Sequence, residues 1–436
     1  MGANILLLPL LLKRFSPQEL ALWWVFVALG AVANLADFGF GQAISRVYSF
    51  LWAGAEDFDT EGLRPPPTNV SPNYSRIRQF NATVRYFYLR ISLVAIAVLA
   101  IGGTPFVVRL IHAPTPSTWI LLCWAAFVVV TGYSLGSSHW MLACQGINRV
   151  RELQSSYFWS GLSFVAIASF MLLLGAGLET MVLATAIRAW VGRQFCYYAY
   201  RRAVPKEEQG RPQVDLSMLK RLWPNARKFS LLTVGAYLIA NGTTLICSQL
   251  LGAEATASFG LTVQVGNFLA AFSTLWLAVK WPAITVLRTQ GKLQEMAIIF
   301  ARRLACVMFT FLLCSFVLIL AGNLLLEWKG TRTRLLPTPL LIVYLAYVGQ
   351  QQFYVQFGNL TFTENVVPFF KISLFTGIGL LGLTLLMTRF FGVWGLVSAP
   401  LVATIACSTW YVVYRGFQGQ PLSLHQFIHA AVFGHL

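Results

Sequence analysis

The residues that could carry chemistry are charged side chains inside otherwise apolar stretches of the chain. Among 32 basic and 15 acidic residues, the cations in such stretches are Arg46, Arg188, Arg193 and Lys280, and the acid is Asp37. An arginine at the centre of a membrane helix costs about 2.5–3.5 kcal/mol, so such residues usually face a water-filled pathway. This excess of bases over acids favours an anionic substrate.

Arg188, in the stretch "MVLATAIRAWVGRQF", is the strongest candidate for a substrate contact. It lies about eight residues, or about 12 Å, into its segment and therefore near the middle of a membrane. We expect its planar fork of donors to bind substrate phosphates. The alternative is a structural ion pair with Asp37 or Glu179.

The other three cations lie nearer one end of their segments. Arg46 and Lys280 occupy nearly equivalent places in two similar stretches of sequence. We expect them either to form a substrate capture site or to extend to the lipid headgroups. Arg193 either binds substrate as well or extends to the same headgroups.

Two further polar features are candidates for the transport pathway. His139 is either a group that titrates during transport or a satisfied core histidine. Gln350 and Gln352 lie in the run "GQQQFYVQFGN". The polar face of that run suits either sugar hydroxyls or hydrogen bonds between helices.

The block "LADFGFGQAISR" surrounds the acid of the pathway, Asp37. We expect Asp37 either to pair with a buried cation or to bind a coupling ion near the inner mouth of a cavity. Gly39 and Gly41 weaken a helix locally and permit close packing. They therefore predict a bend at this point of a segment that is too long for one straight crossing.

These side chains belong to a chain whose composition is typical of membrane proteins. Of its 436 residues, 57% are hydrophobic and 11% are charged, whereas soluble proteins have about 25% charged residues. The long apolar runs predict an all-α polytopic membrane protein. The twelve predicted spans are 3–12, 20–52, 86–108, 117–147, 153–176, 180–200, 229–251, 257–287, 304–326, 338–362, 372–388 and 394–414. Because a crossing takes roughly 20 residues, we expect the short first helix to be truncated.

The basic residues are unevenly distributed between the two ends of these spans. Connections on one side hold 21 of the 32 lysines and arginines, those on the other side hold 7, and 4 lie within spans. By the positive-inside rule the basic side is the cytoplasm, so both termini are predicted to be cytoplasmic. The asymmetry accounts for the net charge of +17 without a nucleic-acid partner.

Two basic amphipathic segments are expected to lie on anionic membrane lipids, one in residues 201–228 and one in the tail from residue 415. The predicted apolar face of the tail comprises Leu424, Phe427, Ile428, Ala431 and Val432. His425 and His429 lie away from that face, and the pattern favours an interfacial helix over a metal site. No cofactor is expected.

Two similarities within the sequence indicate an internal repeat. "FSPQELALWWVFVALGAV" resembles "LGAEATASFGLTVQVGNF" at an offset of 236 residues, and "GLETMVLATA" resembles "GVWGLVSAPL" at an offset of 215. Six predicted spans separate the members of each pair, so both halves run the same way through the membrane. We predict an N-terminal six-helix lobe at 1–200, a linker at 201–228, a C-terminal lobe at 229–414 and a tail at 415–436.

Several motifs resemble one transporter family. The leucine- and proline-containing first helix, the turn "SPQELALW" and the block "DFGFG" are similar to the opening of bacterial O-antigen and polysaccharide (Wzx-type) flippases. "CQGINRVRELQSS" is similar to a cytoplasmic corner of that family. Ala33 and Asn34 stand where the related peptidoglycan-precursor flippases carry arginines, which argues against that branch.

The resemblance implies a member of the multidrug/oligosaccharidyl-lipid/polysaccharide (MOP) exporter superfamily. It implies about twelve transmembrane helices in two pseudo-symmetric six-helix lobes around a central cavity, in the bacterial inner membrane. The implied activity is translocation, by alternating access, of an oligosaccharide linked to undecaprenyl pyrophosphate, for O-antigen or polysaccharide synthesis. Polysaccharide assembly proteins are implied as partners, and the driving force stays open between protons, sodium ions and the membrane potential.

Two other functions compete with this interpretation. A cation-coupled multidrug exporter of the same superfamily would share the architecture but should prefer an acid-rich cavity. A membrane polysaccharide polymerase or ligase usually needs a large outer loop with catalytic residues, and the longest predicted outer connection, 327–337, has one acid and no histidine. An ATPase is disfavoured because the sequence has no G-x-x-x-x-G-K-[ST] loop.

Overall fold

The fold is entirely helical in the part of the chain that the structure describes. The computed structural model describes residues 2–37, 39–55, 71–111, 117–205, 213–328, 330–364 and 369–433. Within these ranges no residue belongs to a β-strand. The predicted all-α membrane architecture is therefore confirmed.

Eighteen α-helices follow one another within the described ranges. The first ten are α1 Gly2–Arg14, α2 Pro17–Gly30, α3 Phe40–Trp52, α4 Tyr74–Val98, α5 Thr104–Val108, α6 Ser117–Ser137, α7 His139–Gly146, α8 Val150–Leu173, α9 Glu179–Ala203 and α10 Ser217–Leu250. The remaining eight are α11 Gly252–Ala278, α12 Trp281–Thr289, α13 Leu293–Trp328, α14 Thr338–Phe362, α15 Phe370–Phe391, α16 Val393–Thr404, α17 Trp410–Gln418 and α18 Leu424–Phe433. One π-helical turn joins α4 to α5 and another joins α16 to α17.

The helices form two compact units. The N-terminal unit comprises Leu6–Tyr237, and the C-terminal unit runs from Leu238 to the end of the chain together with the first five residues. The division falls inside α10, whose first turns are the basic second half of the predicted linker. That half of the linker is therefore part of a long helix.

Nine helical segments of the described residues are long and apolar enough to cross a membrane. They are Pro17–Asp37, Tyr74–Val108, Thr118–Gly146, Val150–Leu173, Ser230–Leu250, Gly252–Ala278, Leu293–Trp328, Phe370–Phe391 and Val393–Gln418. The other three predicted spans coincide with α1, α9 and α14. Helix α1 has only 13 residues, whereas α9 and α14 carry the arginines and glutamines that lower their hydropathy.

The second predicted span breaks where its glycines lie. Helix α2 gives way to a 3₁₀ segment, Ala31–Asp37, and α3 starts again after Gly39. Gly39 has a φ of 68°, in the left-handed region that costs other residues energy. The bend predicted from the glycines is confirmed.

The third span starts earlier than its sequence predicts. The apolar run predicts a start at residue 86, but α4 begins at Tyr74, capped by the Asn73 side chain, which accepts from the Arg76 N–H at 3.1 Å. The predicted connection between the second and third spans is therefore wrong in its second half, which is helical from Tyr74. As a consequence Arg85 and Arg90 lie on a helix.

The core of the N-terminal unit places α2 against α6. Phe26 packs on Trp124 and Phe127, with ring centroids 5.0 and 5.4 Å away. The turn before α2 is a capping box, in which Ser16 and Glu19 exchange side-chain and backbone hydrogen bonds. These contacts fix the helix that leads into the break at Gly39.

The tail helix α18 packs on the C-terminal unit by a different face from the predicted one. Phe427 and Ala430 are buried in a core cluster that includes Phe300 and Phe357. Leu424 and Ile428 are exposed. The predicted grouping of Phe427 with Leu424 and Ile428 on one interfacial face is wrong, because Phe427 packs into the protein core.

Candidate functional site

The carboxylate of Asp37 is held by two neutral donors. Tyr88, on α4, donates its hydroxyl hydrogen to Oδ1, and the backbone N–H of Gly41 donates to Oδ2 at 3.0 Å. A Cβ at position 41 would lie 2.9 Å from Oδ2, so the carboxylate reaches this amide closely because the residue is glycine. Of the two alternatives predicted for Asp37, pairing with a buried cation is not seen among the described residues.

His139 continues the polar chain beyond Tyr88. The two rings are 6.4 Å apart at their centroids. One ring nitrogen of His139, Nδ1, lies 2.8 Å from the carbonyl oxygen of Gly136, whereas Nε2 is buried and has no hydrogen-bond partner. Only one of the two ring nitrogens therefore has a hydrogen-bond partner.

Two arginines on different helices lie within electrostatic range of this histidine. They are Arg85 on α4 and Arg193 on α9. Arg193 also donates to the Gln194 side chain at 3.2 Å and lies 5.4 Å from the Tyr197 ring. Together with Asp37, Tyr88 and His139 they form what we call the N-unit polar cluster.

Arg188 lies on α9, five residues before Arg193 in the sequence. Its guanidinium carbon is 5.6 Å from the ring of Phe164, and the side chain is exposed. The alternative ion pairs are absent, because Asp37 is bound as above and Glu179 accepts from Trp119 and from the Gly177 N–H. Arg188 therefore presents a charge that no carboxylate of the described chain neutralises.

Sequence reasoning misses the polar face of α4. Five polar residues of α4 are spaced so that they lie on one side of the helix. These residues are Arg78, Asn81, Arg85, Tyr88 and Ser92. The 3- and 4-residue intervals between them are the signal that would have revealed it. The signal was hidden because Arg78, Asn81 and Arg85 lie in the predicted connection before the third span.

The predicted glutamines of α14 make contacts between helices of the C-terminal unit. Gln350 donates to the Thr409 hydroxyl and accepts from the Thr404 hydroxyl at 3.1 Å. Gln352 accepts from the Thr274 hydroxyl at 2.6 Å. The two roles predicted for these glutamines are binding of sugar hydroxyls and hydrogen bonding between helices. The structure shows hydrogen bonds between helices.

Arg46 and Lys280 belong to different units, and each is described in its own. Arg46 is an exposed residue of α3. Lys280 is half-buried between α11 and α12. Neither forms an ion pair with a described carboxylate.

The described residues contain no group of three or more potential metal ligands. On α18, His425 is exposed and His429 is half-buried. What the N-unit polar cluster offers is instead one carboxylate, one phenol, one imidazole and a set of arginines. Such a set can bind a proton at the acid or imidazole and an anion at the guanidinium groups.

The fold resembles that of solved membrane transporters. An inward-facing multidrug resistance MATE family transporter of the MOP superfamily matches with a TM-score of 0.64 and 12% identity, over 94% of this chain and 93% of that one. The chain shares the fold of this solved transporter. The lipid II flippase MurJ, in an inward closed conformation, also matches, with a TM-score of 0.62 and 12% identity, over 97% of this chain and 86% of that one.

A third solved structure has a similar fold. The Vibrio cholerae MATE transporter VcmN, in its bent form, matches with a TM-score of 0.53 and 14% identity, over 96% of this chain and 97% of that one. No protein-family model and no curated protein matches the sequence. The likeness therefore lies in the three-dimensional structure, and function has to be argued from the site.

Proposed function

We propose that the protein is a flippase for an oligosaccharide linked to undecaprenyl pyrophosphate. It would move this lipid from the cytoplasmic to the outer leaflet of the bacterial inner membrane by alternating access, for O-antigen or polysaccharide synthesis. Both termini would be cytoplasmic, as the distribution of basic residues predicts. Polysaccharide assembly proteins are proposed as partners.

The observation that carries the proposal is a set of arginines without carboxylate partners. Four of the arginines on α4 and α9 of the N-terminal unit form no ion pair with a described carboxylate, and they are Arg85, Arg90, Arg188 and Arg193. Arginines within membrane helices are costly and normally paired. A pyrophosphate group supplies the missing negative charge, and guanidinium groups bind phosphate oxygens through two parallel hydrogen bonds.

Binding and capture of the substrate are proposed for different basic residues. Arg188, Arg193 and Arg85 would bind the pyrophosphate. Arg46 and Lys280 would act earlier, in capturing the substrate from the cytoplasmic leaflet. Their positions near the predicted cytoplasmic ends of α3 and α11 support this order.

Coupling to an ion gradient is proposed for the acid and the imidazole. Asp37 can take a proton while it keeps its bond from Tyr88, and His139 has a free, buried Nε2. Protonation of either group adds positive charge beside Arg85 and Arg193. Binding of a proton would therefore favour the anionic substrate, which links the two events thermodynamically.

A cation-coupled multidrug exporter is the second candidate function. Two of the matched structures are multidrug or MATE transporters by name, and Asp37 offers a carboxylate to a cation. The candidates differ in the sign of the substrate charge. Arginines without partners disfavour a cationic drug, because it would be repelled where an anion is attracted.

The proposal is tested by substitution of Arg188 in cells that depend on this protein for polysaccharide export. Arg188→Ala should abolish complementation, and Arg188→Lys should restore part of it because the charge remains without the planar fork. Arg389→Ala, at the end of α15, is the matched control and should complement fully. Full complementation by both Arg188 variants would show that Arg188 does not bind the substrate.

A further inference from the structure

An exposed apolar surface runs along two helices of the C-terminal unit. At α11 it comprises Phe272, Leu275 and the C-cap residue Val279, whose exposed fractions are 48, 55 and 75%. On α13 it continues through Phe309 and Leu313, at 69 and 52%. We call these five residues the α11–α13 apolar surface.

A tryptophan and an arginine stand at one end of this surface. Trp276 of α11 donates its indole N–H to the hydroxyl of Thr310 on α13 at 3.0 Å, which fixes the ring between the two helices. The guanidinium carbon of Arg303 lies 6.0 Å from the centre of that ring. Trp276 is itself 47% exposed, so the pair is accessible from the apolar surface.

The charge of this pair is not neutralised within the protein. Arg303, its neighbour Arg302 and the nearby Lys280 make no ion pair with a described carboxylate. The acid nearest to them in the sequence, Glu295, pairs instead with Lys292 at 3.7 Å. These basic side chains, at one end of the apolar surface, therefore have no anionic partner among the described residues.

The position of Arg303 along α13 matches the headgroup level of a membrane. The helix has 36 residues, which is about 54 Å at 1.5 Å per residue and exceeds the hydrocarbon thickness of about 30 Å. Arg303 is the last charged residue before an uncharged, mostly apolar run from Leu304 to Leu326. The end of α13 that carries Arg303 is the one predicted to be cytoplasmic.

We propose that Arg303 and Trp276 bind the phosphate headgroup of an anionic phospholipid of the cytoplasmic leaflet. The acyl chains of that lipid would cover the α11–α13 apolar surface. Arginine binds a phosphate through two hydrogen bonds, tryptophan lies favourably at the membrane interface, and their stacking holds the guanidinium plane in place. The proposal does not depend on what the protein transports.

The test measures which lipid the full-length, detergent-purified protein retains in native mass spectrometry. Phosphatidylglycerol and phosphatidylcholine with the same acyl chains are added in turn, and wild type should retain the former in preference. Arg303→Ala should lower retention of phosphatidylglycerol about fivefold, since one basic residue near an anionic lipid contributes about 1 kcal/mol. Arg303→Lys should keep most of it, and the control Arg389→Ala, at the end of α15, should change nothing.

Equal retention of the two lipids by wild type would overturn the proposal, as would unchanged retention by Arg303→Ala. A second measurement needs no variant. Phosphatidylglycerol with a photoactivatable acyl chain should label wild type within residues 272–279 and 303–313. Inorganic pyrophosphate in excess should leave this labelling unchanged, and its loss would mean that the site binds a substrate phosphate and that the phospholipid proposal is wrong.

Discussion

The hydroxyl of Tyr88 on α4 donates a hydrogen bond to the carboxylate of Asp37, at the end of the 3₁₀ segment before Gly39. The two residues are 51 positions apart, so the bond ties the break in the second span to a neighbouring helix. It also gives the acid a neutral partner. The arginines of the same cluster are therefore not paired with this carboxylate.

Removal of the Tyr88 hydroxyl should destabilise the protein. Tyr88→Phe leaves one oxygen of Asp37 in a largely buried place without its donor, at a cost of about 1–3 kcal/mol. The thermal unfolding midpoint of the purified protein in detergent should fall. Tyr86→Phe, which keeps the ring beneath Arg90, is the matched control and should leave the midpoint unchanged. Equal midpoints for the two variants would contradict the assigned bond.

The two glycines of the break should tolerate substitution far less than a helical glycine elsewhere. Gly39→Ala forces a side chain into a left-handed conformation at about 1–2 kcal/mol. Gly41→Ala places a Cβ 2.9 Å from Asp37 Oδ2 and displaces the carboxylate. Gly161→Ala, with nothing within 4 Å of its new Cβ, should be neutral or stabilising because alanine favours a helix. Thermal midpoints rank the three variants, and a Gly161 variant as unstable as the others would refute this explanation.

Loss of Arg85 or Arg193 should weaken substrate binding more than it weakens folding. Each glutamine variant removes a charged hydrogen-bond donor worth about 1.5–3 kcal/mol, so the substrate concentration for half-maximal transport should rise about tenfold or more. The lysine variants should lose less. Arg149→Gln, on an arginine that pairs with Glu152 at 3.4 Å, controls for the general loss of positive charge. A tenfold effect in this control as well would indicate that only net charge matters.

Gln350 should stabilise the junction between α16 and α17. Its amide contacts Thr404 and Thr409 on either side of the π-helical turn. Gln350→Ala should therefore lower the thermal midpoint by an amount that corresponds to about 1–2 kcal/mol. Gln351→Ala is the control, since Gln351 bonds only to Tyr347 of its own helix among the described contacts. A larger loss in the control would mean that the junction does not depend on Gln350.

The start of α10 should loosen in acid. Hydrogen bonds from the hydroxyl and the N–H of Ser217 hold the pKa of Asp215 below its usual range. Because the folded pKa is the lower one, this contribution is present above the unfolded value of about 3.9 and is lost as the pH falls through the folded value. Amide hydrogen exchange of residues 217–220, corrected for its intrinsic pH dependence, should be less protected at pH 3 than at pH 7. Asp215→Ala should remove that difference, and a difference that persists would contradict the assignment.

The sequence predicts the helices well where apolar runs or turn residues mark them. The break at Gly39 follows from the glycine spacing, and the cap of α2 follows from Ser16 and Glu19. The start of α4 could not be found from hydropathy, because its first four turns are amphipathic and rich in arginine. Such a helix extends beyond the membrane and is stabilised by packing, which an apolar-run criterion does not detect.

The candidate site was predicted only in part, because the sequence does not show which distant side chains contact one another. Arg188, Arg193, His139 and Asp37 stand out because each is polar in an apolar stretch. Which of them lie together depends on contacts between distant helices, such as Tyr88 with Asp37. The sequence cannot show that a tyrosine, rather than an arginine, satisfies the acid.

Transport by the purified protein in liposomes tests the central claim most directly. A fluorescent oligosaccharide linked to undecaprenyl pyrophosphate is placed in one leaflet, and its arrival in the other leaflet is measured with a membrane-impermeant quencher. The account predicts translocation by wild type, strong loss in Arg188→Ala, and no transport of a cationic dye. Transport of the dye together with an immobile glycolipid would contradict it.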